Sequence, residues 1–349
     1  MSYELLVFTK IQSMEPTNLQ QSFFRHLKSI LPGHLSLVDE VAELLNISND
    51  SAYRRIRGEK PISLEEIQKL CIRHHISLDQ LINIESESTV FFGKNLDGDN
   101  FDLEKYLDYL LFNLKEIGKA NEKIFFYEAK DMPLFYYFHH REIAILKLFF
   151  WMKTALACPG YSKMYFEDIE FGALLHKKGI EIINAYNRIP SVEIWSIDSL
   201  NATIRQIEYY NYTGVFRKKE TIELLYDQLH QIIEHVKEQA EHGEKFLKGQ
   251  KPQGYSTNFQ LYYNEWFLGN NLILVETDGA ATVYINHSVM NQIITRDKHF
   301  CDFTKKSLNN TVKRSLLISS VGERERNRFF NLLKNRISKA KDDALNQKS

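Results

Sequence analysis

Residues 48–60 concentrate side chains that can form hydrogen bonds with nucleic acid. An arginine can pair with guanine through two hydrogen bonds, an asparagine can pair with adenine in the same way, and an aspartate can accept from cytosine. Serine and tyrosine hydroxyls can reach phosphates. The pattern therefore indicates DNA recognition. The candidate contact residues are Ser48, Asn49, Asp50, Ser51, Tyr53, Arg54, Arg55, Arg57 and Lys60.

Four serines mark the starts of the helices that would position these side chains. A serine in front of a helix accepts hydrogen bonds from the free amides of the first turn. Glu66 and Gln80 follow two of these serines by three residues, which is the spacing of a capping box. A short turn at 46–48 and a helix that ends at Gly58 together predict a helix-turn-helix. The capping serines are Ser36, Ser48, Ser63 and Ser77.

The stretch LNISNDSAYRRIRGEKPISLEEIQKLCIRHHISLDQL resembles the lambda-repressor-like (XRE-type) helix-turn-helix of bacterial transcriptional regulators. The predicted module, residues 17–85, covers about a fifth of the chain. The resemblance implies that the second helix of the motif enters the major groove of DNA. It places three residues at base-facing positions: Asn49, Asp50 and Arg54. It places four others beside the DNA backbone: Ser51, Tyr53, Arg57 and Lys60. The family usually has an apolar residue where Arg55 stands, and Ile56 is expected to take that role here.

The module predicts a sequence-specific DNA-binding transcriptional regulator. Its expected partners are double-stranded DNA, a second copy of the chain and an unidentified small-molecule or protein effector. Two other functions fit the same module: an enzyme or effector that the module brings to DNA, and a DNA-bound interaction scaffold. A helical bundle whose arginines only face solvent is the alternative to DNA binding.

Motifs for catalysis and cofactor binding are missing from the sequence. The chain contains no GxGxxG, no phosphate-binding loop, no GxSxG and no HExxH. His139, His140 and Glu142 have a spacing that suits a metal, and so do Cys71 and His74. Neither set has companion ligands at a suitable spacing. We therefore expect no enzymatic activity, no cofactor and no metal.

The composition limits the ways in which the protein could bind DNA. The 349 residues include 44 Lys and Arg against 45 Asp and Glu, for a net charge of −1, which excludes a coat held on DNA by bulk charge. Three distant cysteines suit a reducing cytoplasm. The most apolar stretch, 143–158, is too short to span a bilayer and is interrupted by lysines. We expect a cytoplasmic protein that does not enter membranes.

The chain length predicts two or three domains, and the fold class expected is mainly α with a smaller α+β part. An N-terminal helix-turn-helix bundle would be followed by a helical middle region and a C-terminal α+β domain. Extended segments are predicted at 123–127, 192–197, 259–263, 266–268, 271–276, 282–286 and 316–319. The predicted segments are an extension at 1–16, the DNA-binding domain at 17–85, a linker at 86–100, a dimerisation or sensor region at 101–250, and the α+β domain at 251–349.

Three features of the later segments carry alternative interpretations. A seam of apolar residues favours a dimer helix or an amphipathic helix packed on its own domain. The aromatic residues of 125–151 favour a ligand pocket or a buried core. The basic last 50 residues suit contact with DNA flanks or an anionic ligand, or a solvated face on a docked helix. The seam residues are Ile222, Leu225, Leu229, Ile232 and Val236.

Overall fold

Two compact units make up the chain, residues 1–90 and 91–349. A computed structural model describes residues 19–31, 35–74, 76, 89–93, 96–252, 259–266, 268–288 and 290–346. Within these ranges there are 12 α-helices and one eight-stranded mixed sheet. The predicted fold class, mainly α with a smaller α+β part, is therefore confirmed.

Four helices form the described part of the N-terminal unit, and three of them start directly after a predicted capping serine. The side chain of Ser36 accepts from the amide of Asp39, and the side chain of Ser48 accepts from the amide of Ser51. Asn46 takes a left-handed conformation that closes the turn between the second and third helices. Ser77 lies outside the described residues. The helices are α1 (Leu19–Ile30), α2 (Leu37–Leu45), α3 (Asn49–Ile56) and α4 (Leu64–His74).

A small apolar core joins these helices and fixes α3 in place. α3 contributes Ala52, which is fully buried between α1 and α2. A side chain as small as alanine lets α3 approach α2 closely. The other buried members of this core are Phe23, Phe24, Leu27, Val41, Ala42, Leu45, Leu70 and Ile76.

Eight α-helices and eight strands lie in the described part of the C-terminal unit. Its helices are α5 (Leu103–Lys119), α6 (Leu134–Tyr137), α7 (Arg141–Phe150), α8 (Gly172–Asn187), α9 (Asn201–Tyr212), α10 (Lys219–His242), α11 (Lys298–Lys313) and α12 (Glu323–Asn346). Its strands are β1 (Phe92–Gly93), β2 (Lys123–Ala129), β3 (Ser191–Trp195), β4 (Phe259–Tyr263), β5 (Leu272–Thr277), β6 (Ala280–Asn286), β7 (Gln292–Thr295) and β8 (Leu316–Leu317).

The sheet has the strand order β1-β7-β6-β5-β2-β3-β4-β8. β2, β3 and β4 run parallel, and the other pairs are antiparallel. The hairpin between β5 and β6 turns at Asp278 and Gly279, whose φ angles are 46° and 84°. Two positive φ angles are the requirement of a tight type I′ hairpin turn. An Asp-Gly pair is the sequence signal of this turn.

Several predicted boundaries are wrong because the sheet draws its strands from distant segments. The predicted border at 250 falls inside one unit, since β2 and β3 pair with β5 and β4. β1 lies in the predicted linker 86–100 and pairs with β7. Neither β1 nor β7 was expected, and residues 266 and 268 lie outside the strands. Pairing across such sequence distances leaves no local signal.

Helices cover both faces of the sheet. The larger core holds the aromatic residues of 125–151 except Phe126, and Tyr136 and Tyr137 are fully buried there. The sequence allowed a pocket or a core for this segment, and the residues form a core. A smaller core on the opposite face includes Leu274, Val283 and Cys301 beneath α11. None of the described helices combines the length and the apolarity needed to cross a bilayer.

The apolar seam of α10 belongs to the larger core, and its prediction as a dimer interface is corrected. All five side chains are at most 5% exposed, and α10 packs along α12 of the same chain. A face already buried against its own unit is closed to a second copy. The alternative interpretation, an amphipathic helix packed on its own domain, describes it. The seam residues are Ile222, Leu225, Leu229, Ile232 and Val236.

Candidate nucleic-acid interface

One stripe of polar side chains faces outward from α3. Its members recur at spacings of three and four residues, so they line one side of the helix and of its C-terminal cap. Ala52 and Arg55 point the opposite way and are buried. We call this set the α3 stripe. It consists of the exposed residues Asp50, Tyr53, Arg54 and Arg57.

Side chains of the α3 stripe are held by contacts that DNA could replace. The Nη2 atom of Arg57 donates to the hydroxyl of Tyr53 at 2.6 Å, and the guanidinium lies 4.4 Å from the centre of the tyrosine ring. Glu59 lies 3.7 Å from Arg57 and 3.9 Å from Arg54. Exposed ion pairs of this kind contribute about 1 kcal/mol or less. A phosphate or a base edge can therefore compete for both arginines.

The end of α3 follows the predicted stop. Gly58 has a φ of 79°, and its amide donates to the carbonyl of Arg55. The amide of Glu59 donates to the carbonyl of Arg54 at 2.9 Å. These two bonds form the Schellman ending, which requires a left-handed residue where Gly58 stands. The segment after α3 thus leaves in a fixed direction.

Two glutamines of α1 form hydrogen bonds with the backbone of residues 55–62, at and after the end of α3. The Nε2 atom of Gln20 donates to the carbonyls of Arg55 and Lys60 at 2.6 and 2.7 Å, and its Oε1 accepts from the amide of Ile62. Gln21 donates to the carbonyl of Arg57 at 2.8 Å. Sequence reasoning missed both glutamines. They lie more than thirty residues from their partners, and no local pattern signals the pairing.

Arg55 is buried and lies outside the α3 stripe, so its side chain is not placed for the DNA contact that the sequence predicts. Only 7% of Arg55 is exposed. Its Nε and Nη2 atoms donate to the two carboxylate oxygens of Glu66 at 3.0 and 2.7 Å. The guanidinium holds the pKa of Glu66 below its ordinary value. The charge of Arg55 is satisfied inside the unit.

The remaining predicted contact residues differ in how free their polar groups are. The side-chain Nδ2 of Asn49 donates to the carboxylate of Asp39 at 3.0 Å, so one hydrogen-bonding group of this side chain is already used. The hydroxyl of Ser48 is engaged as the cap of α3. Ser51 is half-buried beside it, and Lys60 is exposed at the end of the segment that Gln20 holds.

Ion pairs within the C-terminal unit occupy several cations of the basic last helix. On α12, Arg326, Lys334 and Lys341 each lie within 4 Å of a carboxylate on α10. These contacts fasten α12 to α10. They agree with the interpretation of this segment as a docked helix with a solvated face.

A buried polar cluster surrounds Glu193 on β3. Its carboxylate accepts from the hydroxyls of Tyr136 and Tyr186 at 2.7 and 2.5 Å, and from the indole of Trp195 at 2.9 Å. Burial raises the pKa of both tyrosines well above the ordinary value. Lys245 lies 3.6 Å from the centre of the Tyr186 ring, and burial lowers its pKa to about 7. All five side chains are buried in the unit.

His139 and His140, two of the candidate metal ligands, lie in another part of the C-terminal unit. The rings of His139 and His235 are 4.7 Å apart, and the Nζ atom of Lys248 is 3.1 Å from His140. Burial, together with the neighbouring cations, lowers the pKa of His139 to about 3 and that of His140 to about 4. Within the described ranges, no three His, Cys, Asp or Glu side chains form a group suited to a metal ion.

Comparisons of the chain with protein-family models, with curated proteins and with solved structures each give no match. The resemblance of residues 45–81 to XRE-type modules is thus carried by the serine caps, the helix pattern and the polar side chains of α3.

Proposed function

We propose that the protein is a cytoplasmic, sequence-specific DNA-binding transcriptional regulator. The observation that carries the proposal is the α3 stripe: the exposed side of α3 bears only side chains that can bond to bases or phosphates, while its inner side is anchored in a core. An α-helix fits the major groove, where all four base pairs can be distinguished. The capped and anchored α3 would enter that groove.

Each residue of the α3 stripe, together with Lys60, has a role that follows from its chemistry. Arg54 can donate two hydrogen bonds to a guanine, and Asp50, one turn earlier, can accept from a cytosine amino group. Tyr53, Arg57 and Lys60 can bond to phosphates on either side. The N-terminal unit carries acidic residues on its other helices, which weaken its overall attraction to DNA. Affinity for DNA would therefore come from the directed contacts of these side chains.

Binding to a two-fold operator requires two copies of the chain, with their α3 helices about 34 Å apart. Since the seam of α10 is buried, the second copy would have to use another surface. The C-terminal unit would supply that surface and would respond to an effector, through a change in the separation of the two α3 helices.

Selection from a pool of random-sequence duplexes tests the proposal. The full chain is mixed with the pool at low salt, bound duplexes are recovered over several rounds, and the enriched sequences are read. We expect a shared half-site that contains a G·C pair. If the full chain retains no duplex above the level of a protein-free control, the proposal is wrong.

Two alanine variants should separate base reading from phosphate contact. Arg54→Ala should lower affinity for the enriched duplex by about 1–3 kcal/mol and relax the preference at one base pair. Lys60→Ala should weaken binding to all duplexes alike and make the salt dependence less steep by about 0.9 in the log–log slope. Fluorescence anisotropy at several salt concentrations measures both. Indistinguishable behaviour of the two variants would contradict these roles.

A further inference from the structure

Glu59 is the acidic residue closest to the arginines of the α3 stripe, since it lies within 4 Å of both. We propose that Glu59 sets the specificity of DNA binding, by repelling phosphates from the stripe and by competing with them for Arg54 and Arg57. This inference rests on the proposed function of the stripe.

The position of Glu59 is fixed by the backbone. The Schellman ending ties its amide to the carbonyl of Arg54. One residue further on, the carbonyl of Lys60 accepts from Gln20 of α1. Because the chain is held on both sides, the backbone keeps the Glu59 side chain near the end of α3.

The ion pairs of Glu59 contribute little binding energy, but its negative charge lowers the positive field around the arginines. About half of each side chain is exposed: 54% of Arg54, 57% of Arg57 and 50% of Glu59. Water at these positions keeps each pair within about 1 kcal/mol. The carboxylate nevertheless neutralises part of the positive field that would attract phosphate, and it is itself repelled by phosphate.

This charge penalises random DNA more than preferred DNA. Binding to random sequences depends almost entirely on phosphate contacts. On a preferred sequence, Arg54 also bonds to a base edge, and that bond compensates for the loss of Glu59 as a partner. A repulsive group that acts mainly on the wrong complex increases discrimination.

The substitution Glu59→Gln in the full chain tests the proposal. The matched control is Glu43→Gln, which makes the same change of charge at an exposed position of α2. Glu59→Asp keeps the charge. The probes are a random-sequence duplex and the duplex most enriched by the wild-type chain, with binding measured by fluorescence anisotropy at several salt concentrations. Thermal unfolding of each variant shows whether the fold is retained.

We expect Glu59→Gln to bind the random duplex about threefold to tenfold more tightly at low salt, with a steeper salt dependence. The enriched duplex should gain less, so the ratio of the two affinities should fall. Glu43→Gln and Glu59→Asp should behave like the wild type.

Equal effects of Glu59→Gln and Glu43→Gln would overturn the proposal, because the loss of any negative charge on the unit would then be enough to tighten binding to random DNA. Weaker binding by a folded Glu59→Gln would overturn it too, since Glu59 would then be a contact or a support. A wild-type chain that binds no duplex would instead refute the proposed function itself.

Discussion

Replacement of Arg55 by alanine should destabilise the N-terminal unit by about 1–3 kcal/mol, because it leaves the partly exposed carboxylate of Glu66 without its hydrogen-bonded cation. The side chains of Arg55 and Glu66 are 8% and 21% exposed, and two hydrogen bonds join them. A domain of this size has little stability to lose. DNA binding should then fail because α3 is no longer held, although Arg55 lies outside the α3 stripe.

Amide hydrogen exchange of residues 37–74, measured on the full chain, shows whether Arg55→Ala loses DNA binding because the unit unfolds or because a DNA contact is removed. We expect fast exchange in Arg55→Ala throughout this region, whereas exchange in Arg54→Ala should remain as slow as in the wild type. The control Arg55→Lys keeps the charge but not the two-bond geometry, and should give an intermediate result. Slow exchange in Arg55→Ala together with lost DNA binding would restore Arg55 as a contact residue.

The stability of the C-terminal unit should rise by about 2–3 kcal/mol between pH 7 and pH 9, because of Lys245. Burial lowers the pKa of Lys245 from 10.5 to about 7. Between these values the unfolded chain holds a proton on Lys245 that the folded chain lacks, so folding becomes more favourable as the pH rises. Below pH 7 the folded state must bury an ammonium group, and Glu193 offsets this only in part.

Urea unfolding of wild type and Lys245→Met over this pH range measures the effect. The methionine variant should lose the rise and should be the more stable protein at pH 6. Lys251→Met, at an exposed position six residues further along the chain, should keep the wild-type pH dependence. Parallel stability curves for wild type and Lys245→Met would show that Lys245 keeps its proton in the folded state.

The sequence predicts most of the N-terminal unit because its signals are local. A serine that caps a helix lies within three residues of the amide it accepts from, as Ser36 and Ser48 do. Gly58 ends α3 for an equally local reason. The outward positions of Arg54 and Arg57 follow once the bounds of the helix are known.

Features decided by distant partners could not be predicted in this way. Arg55 looks like its neighbour Arg54 in sequence, and only the arrival of Glu66 on α4 makes it a buried residue. Leu229 and the rest of the α10 seam have the spacing of a dimer helix, but α12 covers them. An apolar stripe shows that a helix face is buried, but it does not show whether the covering element belongs to the same chain or to a second copy.

The continuous sheet also governs the order in which the protein can fold during synthesis. The described strands form seven pairs, and only the β2–β3 pair lies wholly before residue 259. The ribosome makes the N-terminal unit first, while β2 waits for β5, which is about 150 residues away. Until then β2 presents an open edge that other chains could pair with. A nascent chain stalled near residue 250 would therefore carry a complete N-terminal unit together with an unfinished and aggregation-prone sheet.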